Sequence, residues 1–364
     1  MKLFLNDNIR SYSLQRGVTR SFWHIADGLI GHFGDQVTVF SPAHRDFGRA
    51  KHLRSVHLDF RGSHRLRLHR ITDKWAEWAS NRENASVFFS PYYGNSHPKA
   101  REIFVVHDMI HALPEYRVNE PPMAARFRAE VRRCLERAAA LIAVSNNTAQ
   151  DIVKCYPHID AGKIVAIPHG VDASFFEPAA PLSASMTRPF FLFVGNRGGY
   201  KNFLRLLRAF GESGLAKDFD LRVISPVDKT FSPEEAALIR NYAIDRSVHI
   251  AGDADEDLRS SYARAVAFVY PSEYEGFGMP ILEAMAAGAV VAASNRSSIP
   301  EAGGDAALYF DPLSVDSITD CLRRVAALAS EDRERLKQKG LARAREFTWE
   351  RAVQKTVQVV NRFA

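Results

Sequence analysis

Two carboxylates, Glu275 and Glu283, bracket a glycine-spaced turn in the stretch Tyr270-Pro-Ser-Glu-Tyr-Glu-Gly-Phe-Gly-Met-Pro-Ile-Leu-Glu-Ala-Met-Ala-Ala-Gly288. The pattern reads as strand end, turn and helix, with Pro280 in the first helical turn. Gly276 and Gly278 let the amides of Gly276, Phe277, Gly278 and Met279 approach an anion at the helix N-terminus. A carboxylate accepts two hydrogen bonds from a vicinal diol, so the pair suits a ribose and a sugar at opposite ends of a diphosphate. The helix dipole alone would also favour Glu283, by about 0.3–1 kcal/mol. A second cluster strengthens the chemical reading. Phe190 to Val194 leads into Gly195-Asn-Arg-Gly-Gly-Tyr-Lys201-Asn202 and then an amphipathic helix. Arg197 and Lys201 are placed to clamp a diphosphate and neutralise it as it leaves, while Asn202 reads as a helix N-cap. Neither GxGxxG nor GxxxxGK[ST] is present, which excludes a dinucleotide fingerprint and a P-loop.

These residues need a scaffold. Apolar runs at Lys2–Leu5, Gln36–Phe40, Val87–Phe89, Ile103–Val106, Leu141–Val144 and Ile164–Ile167 alternate with helical patterns, and most end in polar or turn clusters. Ser145 or Asn147 is expected to cap the helix carrying Ile152 and Val153. A proline-rich stretch from Glu177 to Pro189 reads as a linker. A second series follows at Phe190–Val194, Leu221–Ile224, Val248–Ala251, Val266–Tyr270, Ala289–Ala292 and Leu308–Phe310. The expected fold is α/β, with two doubly wound Rossmann-like domains, 1–180 and 188–346, facing a cleft.

Composition narrows the function classes. The chain has 364 residues, 46% hydrophobic and 25% charged, which suits two ordinary cores and excludes disordered, collagenous and disulfide-scaffold classes. Cys134, Cys155 and Cys321 show no metal spacing, a pattern that fits a reducing compartment. No apolar run reaches the roughly 20 residues of a membrane span, and Leu3–Leu5 is too short for a signal-peptide core. A cytoplasmic location is expected. The net charge of +6 resides in residues 1–185, which hold 24 Lys/Arg against 18 Asp/Glu. Nine of those cations fall between Arg45 and Lys74, against Asp46, Asp59 and Asp73. That stretch is either a solvated basic face or a contact for an anionic membrane surface or a phosphorylated acceptor. It lacks the aromatics of a nucleic-acid platform, so no nucleic-acid partner is expected.

Glu275 and Glu283 as E-x7-E, with Arg197 and Lys201 upstream, resemble the retaining GT-B glycosyltransferases of family four. The resemblance extends through Arg16-Gly17-Val18-Thr19-Arg20, Ser90-Pro91-Tyr92-Tyr93, Val106-His107-Asp108, Val144-Ser145-Asn146, Pro168-His169-Gly170-Val171 and Ser298-Ile299-Pro300-Glu301. Across Val194–Phe203 and Ala267–Pro280 the chain is most similar to bacterial mannosyltransferases of O-antigen and capsule assembly. The resemblance implies that Glu283 holds the nucleotide ribose, Glu275 the sugar hydroxyls, and Arg197 with Lys201 the diphosphate. It puts His107 beside the sugar and Gly17 near the donor phosphate, although a lone histidine in an α/β loop is also a common structural residue. A single glycine followed by Val18 stands where the family has a glycine-rich loop, and Ser225-Pro226 replaces a glycine pair, which leaves the base open. The final helix, within 347–364, is expected to cross back onto the first domain.

The implied activity is transfer of a hexose, mannose from GDP-mannose, to a lipid-linked or oligosaccharide acceptor of a bacterial surface polysaccharide. The nucleotide sugar is the donor substrate, and no cofactor or metal is expected. Asp253-Ala-Asp255, Asp255-Glu-Asp257 and Asp218-Phe-Asp220 match DxD but lack a second acidic cluster to complete an oxygen cage. Peripheral attachment to the inner face of the plasma membrane, through Arg45 to Lys74, is the expected membrane relationship. A GT-B sugar-nucleotide epimerase and a non-catalytic nucleotide- or membrane-binding protein are the alternatives.

Overall fold

The computed structural model describes residues 1–7, 16–41, 48–54, 65–93, 97, 99–117, 124–178, 188–225, 229–251 and 258–363. The chain divides into two compact units, Met1–Gly170 with Trp349–Ala364, and Val171–Thr348. The proline-rich stretch 179–187 lies outside the described residues. The boundary precedes it because the Val171 amide donates to the Phe347 carbonyl and Phe175 packs near Tyr262, with ring centroids 6.3 Å apart. Residues 171–178 therefore belong to the second unit.

The first unit is built on seven strands, β1 (Leu3–Asn6), β2 (Val37–Ser41), β3 (Lys51–Arg54), β4 (Val87–Ser90), β5 (Arg101–Val106), β6 (Ala140–Ala143) and β7 (Ile164–Ala166). Their order is β3-β2-β1-β4-β5-β6-β7, every pair parallel. Strands such as Leu-Phe-Leu-Asn and Val-Phe-Phe-Ser are buried throughout, as parallel strands covered on both faces require. Phe4 lies against Phe40 and Phe88, with ring centroids 6.0 and 5.7 Å away. The first sequence series omits β3. Lys51-His-Leu-Arg is an edge strand with no apolar run, and its exposed Lys51 and His52 fit an edge that must not pair further.

The second unit holds β8 (Phe190–Val194), β9 (Asp220–Ile224), β10 (Val248–Ala251), β11 (Ala267–Tyr270), β12 (Val291–Ser294) and β13 (Ala307–Phe310). These run parallel in the order β10-β9-β8-β11-β12-β13. Phe191, Phe193, Phe203 and Phe210 form the aromatic part of its core. Both sheets reverse their strand order beside the first strand of the unit, between β1 and β4 and between β8 and β11. In an open parallel sheet such a reversal splays the two following loops apart and leaves a crevice at the carboxyl ends. In the second unit those loops are the ones carrying Lys201 and Glu275.

Helix Trp349–Asn361 belongs to the first unit and packs on helix Arg16–Phe33. Trp349 stacks on His24 with ring centroids 4.4 Å apart. Gly28 permits the close approach, since a Cβ there would stand 2.3 Å from Val353 Cγ1. Gly31, one turn on, has nothing within 4 Å of its Cβ position. Gly31→Ala should therefore stabilise the unit by up to about 1 kcal/mol through helix propensity. Gly28→Leu should lose about 1–3 kcal/mol by overpacking. Thermal unfolding of the two variants would show the opposite signs, and equal shifts would contradict the packing.

Candidate active site

The loop after β8 makes two glycine-dependent turns, with φ of +137° at Gly195 and +56° at Gly199. It closes in the helical turn Gly199–Lys201 before helix Phe203–Ser213 begins. Asn202 holds the position ahead of that helix in a left-handed conformation, φ +62°, but does not cap it with its side chain. Its Nδ2 donates instead to the carbonyls of Pro271 and Pro312, at 3.0 and 2.7 Å. The expected N-cap is thus a cross-link between the loop after β8 and the loop after β11. Two further bonds repeat it: the Glu273 amide donates to the Tyr200 carbonyl at 2.7 Å, and Arg205 Nη1 reaches Glu273 Oε1 at 2.7 Å.

This bracing brings Lys201 and Glu275 together. Lys201 Nζ lies 2.7 Å from Glu275 Oε1, with both side chains mostly buried. The ammonium also stands 5.2 and 5.8 Å from the ring centroids of Tyr200 and Tyr270. Tyr270 hydrogen-bonds the Glu275 side chain, and its phenol is held well above its ordinary pKa, first by burial and then by that carboxylate. The Glu275 backbone is fixed from the far side: its amide donates to Ser297 Oγ at 2.8 Å, and Ser298 Oγ donates to its carbonyl at 2.7 Å. Tyr270, Ser297 and Ser298 carry no expected role in the sequence. Tyr270 and Ser298 open two of the quoted stretches, and Ser297 adjoins the second.

Gly278, at φ +110°, lets the chain turn into helix Met279–Ala286, with Pro280 in the first turn. Gly276 and Met279 are half-buried and Phe277 is buried, its ring 5.6 Å from that of Phe347. Glu283 lies one turn into the helix and is 6% exposed. Both carboxylates thus belong to one rigid strand-turn-helix unit.

Arg197, expected with Lys201 to clamp a diphosphate, is enclosed by protein groups. It is 4% exposed, its Nε donates to Glu235 Oε1 at 2.9 Å and its Nη2 to the Thr230 carbonyl at 2.6 Å. Phe203 and Phe231 flank the guanidinium. Glu235 is in turn the third helical residue of a capping box begun by Ser232, accepting from the Ser232 amide at 2.8 Å. An arginine so enclosed has its charge matched inside the protein, and it fastens the loop after β8 to the segment following β9.

In the first unit, Gly17 sits in the first turn of helix Arg16–Phe33, while the stretch 8–15 before it lies outside the described residues. His107 follows β5, and its Nε2 is 2.9 Å from the Pro91 carbonyl at the end of β4. A carbonyl only accepts, so the neutral ring carries its proton on Nε2 and leaves Nδ1 as an acceptor. His169 lies 5.5 Å from His107 between ring centroids and also faces Trp349. Burial lowers the His107 pKa to about 4 against the opposing pull of the Pro91 carbonyl. Ser145 caps the helix Asn146–Cys155 through the Thr148 amide at 2.9 Å.

Among the described residues no group of three or more His, Cys, Asp or Glu side chains is arranged to hold a metal. Asp253 to Asp257 lie outside the described residues. Asp220 is buried beside Arg188, with Arg188 Nε at 3.4 Å, which is an ion pair rather than a cation site.

The histidines set a pH dependence. Burial holds His107 and His111 at about 4 and His97 at about 3, from an ordinary 6.5. As pH falls below 6.5 the unfolded chain takes up these protons and the folded chain does not. The first unit should keep full stability above pH 6.5 and lose it progressively toward about 3. A melting temperature measured across this range and found level would contradict the burial.

Comparison with known proteins fits this geometry. The Glycosyltransferase Family 4 model matches residues 15–175 and the Glycosyl transferases group 1 model residues 177–343. The O-antigen chain mannosyltransferase B of Escherichia coli is 29% identical over 292 residues, 77% of this chain and 75% of that protein. The MMP alpha-(1->4)-mannosyltransferase of Mycolicibacterium hassiacum is 29% identical over 64% of this chain and 56% of its own length. The serotype-specific mannosyltransferase WbdA of Escherichia coli is 29% identical over 68% of this chain, which spans only 32% of that longer protein. Among solved structures, sucrose-phosphate synthase from Thermosynechococcus elongatus superposes with a TM-score of 0.77 at 18% identity, over 100% of this chain and 98% of its own. Anabaena HepE in complex with UDP and glucose gives 0.75 at 15% identity, over 99% of both chains. WaaG, a glycosyltransferase of lipopolysaccharide biosynthesis, gives 0.73 at 17% identity, again over 99% of both. These likenesses establish the GT-B fold.

Proposed function

The chain belongs to glycosyltransferase family four, and from that premise we propose that it transfers mannose from GDP-mannose to a lipid-linked or oligosaccharide acceptor of a bacterial surface polysaccharide, with retention at the anomeric carbon. The names of the mannosyltransferase relatives support the sugar. The observation that carries the donor chemistry is the 2.7 Å pair of Lys201 with Glu275 at the strand-order reversal of the second sheet.

On this reading Lys201 neutralises Glu275 until a diphosphate competes for it, which frees the carboxylate to accept from sugar hydroxyls. Glu283 takes the ribose. Lys201 and the Gly276 to Met279 amides stabilise charge as the bond from the anomeric carbon to the phosphate oxygen breaks. The acceptor oxygen bonds to that carbon on the same face, and its proton passes to the leaving phosphate. Arg197 acts by fixing the loop that carries Lys201. Neutral His107 offers Nδ1 to a sugar hydroxyl. No metal is required, so turnover should withstand a chelator.

Thermal unfolding against GDP, UDP, ADP, dTDP and NAD tests the reading, since a ligand at 100 times its Kd stabilises by about 2.7 kcal/mol. A shift with GDP is expected. A shift with UDP alone would retain sugar transfer and overturn mannose. Conversion of the donor without an acceptor would indicate an epimerase, and no shift with any nucleotide would overturn the donor site.

A further inference from the structure

Four aromatic rings from four separate parts of the first unit form a continuous run of ring contacts. His107, in the loop after β5, lies 5.5 Å from His169, in the segment after β7. His169 lies 5.6 Å from Trp349, the first residue of helix Trp349–Asn361. Trp349 in turn stacks on His24 of helix Arg16–Phe33, at 4.4 Å and 7°. The backbone accounts for the middle of the run. The Val171 amide donates to the Phe347 carbonyl at 3.1 Å, two residues after His169 and two before Trp349, so a single bond holds the two chain segments in the register where these side chains meet.

The run is open at the His107 end and closed behind it. His107 is half-buried, whereas His169 is 8% exposed and Trp349 7%. The Trp349 indole N–H finds no acceptor among the described residues. What this side chain supplies is therefore ring surface, to His24 and His169 alike. His107 is fixed twice: its Nε2–H donates to the Pro91 carbonyl at 2.9 Å, and its ring rests against His169. The hydrogen bond alone would let the imidazole swing about its Nε2 end. The neighbouring ring removes that freedom, and with it the freedom of Nδ1 to change direction. The charged and titratable groups around the run are Arg20 and His24 of helix Arg16–Phe33 and Asp108, next to His107 in the chain. Arg20 acts on His169 in the same sense as burial, against protonation, and Asp108 Oδ1 accepts from the Ile110 amide at 3.1 Å. We infer that His169 is a positioning residue for His107 and that Trp349 holds His169 in place, so that the terminal helix sets the direction of the His107 Nδ1 lone pair. The bearing on turnover rests on the sugar-transfer reading, whereas the arrangement of the rings does not.

The histidine side-chain nitrogens of the full chain are followed by NMR across pH, with the His107 signals assigned by their loss in His107→Gln. The wild type is expected to hold His107 neutral, with its proton on Nε2, down to about pH 4. His169→Gln keeps bulk without a ring, and Trp349→Leu acts two rings away from His107. Both should admit water to His107, raise its pKa from about 4 toward 6.5 and mix its tautomers. Trp349→Phe restores a ring and should return both properties to those of the wild type. In transfer assays kcat of the first two variants should fall about tenfold or more, the acid limb of its pH profile moving up in step. KM for the donor and the nucleotide-dependent thermal shift should stay near wild type. An unmoved His107 in both variants would overturn the inference. Equal displacement by Trp349→Phe and Trp349→Leu would do the same, since general loosening of the helix makes no distinction between them. So would a wild-type kcat alongside a displaced ring. A displaced ring in a protein that turns over no nucleotide sugar would support the positioning and count against the sugar-transfer reading alone.

Discussion

Lys201→Ala is expected to cut turnover by about 10²–10³-fold while the second unit stays folded. The loss comes from removing the cation paired with Glu275, because Arg197, the other cation of the loop, is already engaged by Glu235. The fold survives because the loop is held elsewhere, by Asn202 on Pro271 and Pro312 and by the Glu273 amide on Tyr200. Glu275 keeps the Tyr270 hydrogen bond and its Ser297 and Ser298 backbone supports. A stability change of about 1.5–3 kcal/mol is the appropriate scale for one hydrogen bond between charged groups. Lys201→Arg should recover part of the rate, since charge is retained and only reach and shape change. The same variants should show matching losses in the nucleotide-dependent thermal shift. Wild-type turnover by Lys201→Ala would remove Lys201 from the mechanism.

Arg197→Ala has a different expected signature. Removing one partner of a buried ion pair costs about 3–5 kcal/mol, because the other charge stays behind in low dielectric. Arg197 is 4% exposed and Glu235 5%, so the second unit should lose much of its stability rather than stay folded, as a surface phosphate clamp would allow. The capping box softens the loss by leaving Glu235 its bond from the Ser232 amide. Replacing both residues by methionine removes the stranded charge and should recover a large part of the melting temperature. Activity measured well below the melting point separates the roles. A folded, stable Arg197→Ala protein without turnover would return the guanidinium to the phosphate.

The contrast between these arginine and lysine positions explains how much the sequence could disclose. Apolar runs located the central strands because a strand covered on both faces must be apolar throughout, and glycines marked the turns that only a positive φ permits. Lys201 and Glu275 were each legible through a pattern of residue types, although their ion pair was not. The partner of Arg197 was not, because Glu235 lies 38 residues away and meets it only through the register of β8 on β9 and a capping box at the next helix. Asn202 reads as a cap from its neighbours, yet its left-handed backbone turns the amide toward two carbonyls that belong to other loops. Strand β3 escaped for the opposite reason: an edge strand needs no hydrophobic signature. Burial of His107, and with it the loss of its charge, is likewise a property of packing rather than of spacing.

Helix Trp349–Asn361 completes the first unit although the whole of Val171–Thr348 separates it from the rest of that unit. During synthesis the Val353 side chain that fills the space over Gly28 emerges after everything it packs against in its unit. At about 5–20 residues per second the ribosome takes roughly 10–35 s to translate the intervening unit. Throughout that interval the nascent first unit waits with one helix face bare, while the second can fold to completion as it emerges. The order of maturation is thus reversed relative to the order of translation, and a premature stop shortly before Trp349 would cripple the first unit and leave the second intact.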